Sequence, residues 1–244
     1  MYRTLDSEKI VATLERLQMR IEDRFPGRGL GAVCRELTGI AVEAKTRAEQ
    51  IAAPNVALRI AVGSVLAVGI MLLVSVLRNV DFHPTGGTLF GVAQGIEATI
   101  NVIVLTGAAA LFLVTLESRV KRKRALDDLH GLRAIVHVID MHQLTKDPAM
   151  AFQPGRQTPS SPVRKMDPFE LVRYLDYCSE MLSLTGKVGA LYAQSLSDRV
   201  VVGAVNDIEV LTTNLARKIW QKIMILETYG PGAMSGPAID KNKG

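Results

Sequence analysis

Apolar residues recur along this chain in two different rhythms. In the N-terminal stretch SEKIVATLERLQMRIEDRF, Ile10, Leu14, Leu17 and Ile21 step by four, three and four. That is a narrow apolar stripe on an otherwise charged helix, with Asp6 and Ser7 placed to cap it. PGRGLG breaks the pattern, and Leu30, Val33, Leu37, Ile40 and Ala44 then restore it on a second helix that Pro54 interrupts. Further on, Leu129, Leu132, Val136 and Ile139 form a stripe that stops before Pro148. Leu171, Leu175, Cys178, Leu182 and Thr185 form another, and Val201, Val205, Ile208, Leu211, Leu215, Ile219 and Leu226 a third. Asp167, Pro168 and Glu170 open the Leu171 helix as N-cap, N1 and N3 of a capping box. Gly186 and Gly189 weaken that helix before SLSD starts the last one, expected over about residues 198–227.

The other rhythm is continuous. IAVGSVLAVGIMLLVSVL, residues 60–77, carries no charge. It would cover roughly 27 Å as a helix, about the thickness of a bilayer core. IEATINVIVLTGAAALFLVTL, residues 96–116, would cover roughly 31 Å. Two such runs in tandem predict a transmembrane hairpin, and the second reads on without a break into the Leu129 stripe. Gly63, Gly69, Gly107 and the alanines at 108–110 would let the spans approach closely.

Together these patterns predict an all-α membrane protein with no β-sheet. It has an N-terminal helical hairpin (1–56), a two-span segment (57–117), a juxtamembrane helix (118–146), a Pro-rich linker (147–167), further helices (168–228) and a disordered tail (229–244). The helices outside the membrane are expected to form a bundle or coiled-coil-like assembly.

Charge adds orientation. Arg119, Lys121, Arg122, Lys123 and Arg124 follow the second span, whereas the loop after Arg78 has no Lys or Arg. The positive-inside rule then puts both termini in the cytoplasm, and the composition suggests a bacterial inner membrane. The net charge of +5 needs no nucleic acid to explain it. Aromatic residues are sparse and no nucleic-acid-binding motif is present. The N-terminus lacks the apolar core of a signal peptide. Cys34 and Cys178 are far apart, fit no CxxC pattern and read as free thiols.

Candidate chemistry is limited. Within the second span Gln94, Glu97 and Asn101 share one helix face, and Glu97 lies at a depth similar to Arg78. An Arg78–Glu97 pair, or snorkelling of the two side chains to the interface, pinning the hairpin is the expectation, and polar rings lining an oligomeric pore the alternative. In the juxtamembrane helix His130, Arg133, His137 and Asp140 form one polar stripe, with His142 off it. Asp176, Glu180 and Glu209 are the carboxylates that could face this stripe, either as a hydrogen-bonded seam between helices or as ligands of a divalent metal; plain solvent exposure of the stripe is the further alternative. HExxH, paired ExxH, Walker and nucleophile-elbow motifs are all absent. Trp220, in RKIWQK, is expected in the core, with an anionic membrane surface as the alternative.

The expectation from residues alone is a non-enzymatic membrane protein. It associates with itself and with a protein partner through its cytoplasmic helices, touches lipid, binds no nucleic acid and needs no cofactor. A small channel or membrane-perturbing effector, and a metal-dependent enzyme, are the alternatives.

Overall fold

A computed structural model describes residues 4–79, 89–148, 159–160 and 166–229, and these are helical throughout apart from short turns, with no strand among them. Six helices follow in order: α1 Ser7–Arg24, α2 Gly29–Ala52, α3 Val56–Asn79, α4 Leu89–Leu144, α5 Pro168–Ser195 and α6 Arg199–Tyr229. The chain divides into two units, Met1–Ala52 with Ala125–Gly244, and Ala53–Arg124. The inter-span loop, most of the Pro-rich segment, the tail beyond Tyr229 and the side chain of Gln94 lie outside the described residues.

The first unit is a helical bundle made of α1, α2, the last part of α4, α5 and α6. Asp6 starts α1 by accepting the N–H groups of Glu8 and Lys9. Phe25 ends it by donating its N–H to the Ile21 carbonyl at 2.8 Å. The reversal into α2 passes through Gly27, whose φ of +70° is one that an L side chain rarely adopts. Ile10, Leu14, Leu17 and Ile21 of α1 are buried, as are Leu30, Val33, Leu37 and Ala44 of α2, while Ile40 is half-buried. α4 adds Leu129, Leu132, Val136 and Ile139 to this core.

α5 begins with the full capping box. Glu170 donates its N–H to Asp167 Oδ1 at 2.7 Å, and Asp167 returns its own N–H to Glu170 Oε2 at 3.3 Å. The helix does not stop at Gly186 and Gly189 but runs on to Ser195. The reason is packing: a Cβ on Gly186 would meet Thr212 Oγ1 at 3.4 Å, and one on Gly189 would meet Ile208 and Leu129 at 3.9 Å. The two glycines let α6 and α4 lie close, and the burial this permits offsets their weak helix propensity. Asp198 then caps α6 by accepting the Val200 N–H at 2.9 Å. Along α6 the expected stripe is buried except for Leu211, which is half-buried, and Thr212 and Ile223 join it.

The second unit contains α3 and the first part of α4. Asn55 caps α3, accepting the Leu58 N–H at 3.2 Å. Both helices are long and apolar enough to cross a membrane, with windows of mean hydropathy 2.3 and 2.2. Their apolar side chains are not covered by protein: Ile70 is 61% exposed and Leu105 70%. The core helix of a soluble protein would show the opposite, since apolar residues of this size are normally buried. α3 and α4 meet at Gly69, where a Cβ would fall 2.3 Å from both branches of the Thr106 side chain.

Candidate functional site

The chemistry-bearing side chains of the bundle gather at three joints between helices. Asp128 of α4 is the first. Its side chain is 8% exposed, pairs with Arg47 of α2, and accepts the Tyr192 hydroxyl of α5 at 3.0 Å. One carboxylate thus joins three helices. Burial and the adjacent carboxylate push the Tyr192 phenol well above its usual pKa, so it stays a donor.

The second joint lies at the C-terminal end of α4. Lys222 of α6 donates to the Gln143 carbonyl oxygen at 2.9 Å and to Gln143 Oε1 at 2.6 Å, and Gln143 in turn donates to Asp140 Oδ1 at 2.5 Å. Burial lowers the Lys222 pKa, and Asp140 and Asp147 oppose that shift. Beside Gln143 in the chain, His142 Nδ1 lies 3.1 Å from the Tyr174 hydroxyl of α5. Its ring edge occupies the space beside Gly29 of α2, where a Cβ would come within 2.8 Å of it. Burial, with Lys146 nearby, lowers the His142 pKa.

The third joint is aromatic. Phe25 meets Tyr174 and Tyr177 edge-on, at 5.4 and 6.2 Å between ring centroids. Lys146 sits over Tyr174 at 5.0 Å, and Arg20 and Arg173 over Tyr177 at 5.5 and 5.4 Å. These are stabilising packing contacts of about 0.5–1 kcal/mol each where exposed.

The seam expected from the histidine stripe is therefore built from other residues. His130, Arg133 and His137 are exposed, and His130 reaches only the Leu126 carbonyl of its own helix, at 2.9 Å. Asp176 pairs with Arg173 one turn away at 3.1 Å, and Glu180 pairs with Arg20 of α1. Of the stripe only Asp140 takes part in a joint, through Gln143. His142, which lies off the stripe, is the histidine that faces another helix. Among the described residues no three His, Cys, Asp or Glu side chains are grouped to hold a metal ion. Cys34 and Cys178 are buried and free, and burial pushes each thiol up to about 12, far from a reactive thiolate.

Glu209 lies elsewhere, in an open groove of about 650 Å³ between α5 and α6. Lys187, Thr213, Arg217 and Trp220 share it. Trp220 is 51% exposed, not in the core. The reason is helical phase: Ile219 and Ile223 take the buried side of α6, and Trp220 is one residue round from it.

In the second unit the polar contacts between segments gather where α3 starts, beside the middle of α4. Glu117 accepts the Asn55 N–H at 3.1 Å and pairs with Lys121 at 2.9 Å, while Lys121 donates to the Ala53 carbonyl at 2.8 Å. These contacts clasp the α2–α3 turn to α4. Arg119, Lys123 and Arg124 of the basic cluster are exposed, and Arg122 is half-buried. Arg78, Glu97 and Asn101 are exposed as well. Among the described residues Arg78 and Glu97 form no ion pair, so the pin expected between the two spans is replaced by the Glu117–Lys121 clasp and the Gly69–Thr106 contact.

No family model, curated protein or solved structure matches the chain significantly.

Proposed function

We propose that this chain is a two-span integral membrane protein of a bacterial inner membrane, with both termini cytoplasmic, whose helical bundle is a non-enzymatic assembly module. The observation that carries the reading is the contrast between the two units. The apolar stripes of the bundle helices are buried in a shared core, whereas apolar side chains are exposed along α3 and the first part of α4, next to the cluster Arg119–Arg124. Exposed Ile, Leu and Phe at this density suit lipid tails, and the basic cluster suits the cytoplasmic leaflet. The buried joints are structural in kind: each ties side chains of different helices together, and neither thiol is activated.

Extraction tests the membrane reading. The protein should stay with the bilayer after alkaline carbonate and leave it only in detergent; release by carbonate would remove the proposal.

Self-association is part of the reading. Glu97 and Asn101 are exposed on one face of an otherwise apolar span, and polar side chains in lipid tend to find partners on other helices. A pore is the second reading that these two residues support. Glu97→Gln should alter ion flux in reconstituted vesicles if they line one, and unchanged or absent conductance removes that reading.

A further inference from the structure

We infer that a second copy of this chain docks on the exposed face of α6, antiparallel to it, with the two-fold axis passing at Thr213. The inference deepens the self-association proposed above by naming its surface.

Charge complementarity carries it. Thr213, Arg217 and Trp220 follow one another at i, i+4 and i+7 on one exposed face, and Glu209 precedes Thr213 by four. Glu209 and Arg217 are thus equidistant from Thr213, each about 6 Å along the helix axis. Neither has an ion pair among the described residues, and Lys187 across the groove bonds only to Ser183. Running a second α6 antiparallel through Thr213 brings Glu209 of each copy opposite Arg217 of the other. A two-fold contact must be self-complementary in this way, and one face carrying both signs at equal offsets satisfies it.

Shape agrees with charge. Trp220 lies seven residues after Thr213, so it comes opposite Asn206 of the second copy, with Gly203 one turn further on. Asn206 and Gly203 are exposed, and the space beside Gly203 is open. A large aromatic ring therefore faces a helix surface with room for it.

The test uses the full chain in detergent. Arg217→Glu and Glu209→Arg should each weaken self-association on the order of ten-fold in sedimentation equilibrium, through two like-charge pairs. The double variant Glu209→Arg/Arg217→Glu should restore it. Thr213→Cys should form an interchain disulfide on mild oxidation, whereas Asn214→Cys, exposed but off the face, should not; Cys34 and Cys178 are buried and add no background. Unchanged circular dichroism confirms that each variant is folded. If the chain associates as before in both single variants and Thr213→Cys stays unlinked, α6 is not the interface, while self-association itself stands. If the unmodified chain is monomeric at every concentration, both fall. Membrane extraction is independent of either result.

Discussion

Tyr192 donates its hydroxyl to Asp128 Oδ2 at 3.0 Å, inside a bundle where the Asp128 side chain is only 8% exposed. Arg47 holds the other oxygen of the same carboxylate. Removing the carboxylate strands a buried phenol and frees a half-exposed guanidinium that can hydrate. Asp128→Ala should therefore cost about 1–3 kcal/mol, and Tyr192→Phe about 1 kcal/mol. Chemical unfolding checks both. The double variant should lose less than the sum of the singles, since the two share one contact.

His142 provides a pH signature. Its folded pKa lies below the ordinary histidine value of 6.5, so the unfolded chain takes up the proton first as pH falls. The stability contributed by the neutral ring is complete above 6.5 and is lost as pH falls towards the folded pKa. Lys146, two residues past the end of α4, adds like charge, and Tyr174 of α5 faces the ring. Unfolding midpoints measured between pH 7.5 and 5 should fall with pH, and His142→Gln should flatten that slope. An equal slope in His142→Gln would assign the dependence to other groups.

Gly69 should not tolerate a side chain. A Cβ there collides with Thr106, whereas nothing lies within 4 Å of one added at Gly63 or Gly107. Gly69→Val should separate α3 from α4, seen as lost energy transfer between dyes on the two helices in reconstituted vesicles. Gly63→Ala should leave the transfer unchanged, and Thr106→Ala should rescue part of the Gly69→Val loss.

What the sequence reveals about this fold follows the range of the interactions. The stripe Ile10–Leu14–Leu17–Ile21 and the box Asp167–Pro168–Glu170 are local, because helical period and capping are decided within a few residues. The joints are not local. Asp128 meets Tyr192 across 64 residues and His142 meets Tyr174 across 32, and nothing within one helix says which neighbour it will face. His130, Arg133, His137 and Asp140 do share a helix face, but the acids expected opposite it pair with Arg173 and Arg20 instead. Gly186 and Gly189 weaken their helix by propensity, and the helices packed against them offset this, so it runs on to Ser195 as far as the SLSD turn. The best sequence clue to the joints is Gln143, a buried polar residue beside His142 that continues the α4 stripe one step beyond Ile139.

The most direct measurement is sidedness. A cysteine introduced at Gly87, between the spans, and one at Ser197, exposed at the α5–α6 turn, should react differently with a membrane-impermeant maleimide. In intact spheroplasts Gly87→Cys should label at once and Ser197→Cys only after permeabilisation, with the buried Cys34 and Cys178 silent. Labelling of both positions from the same side would contradict a two-span hairpin with a cytoplasmic bundle.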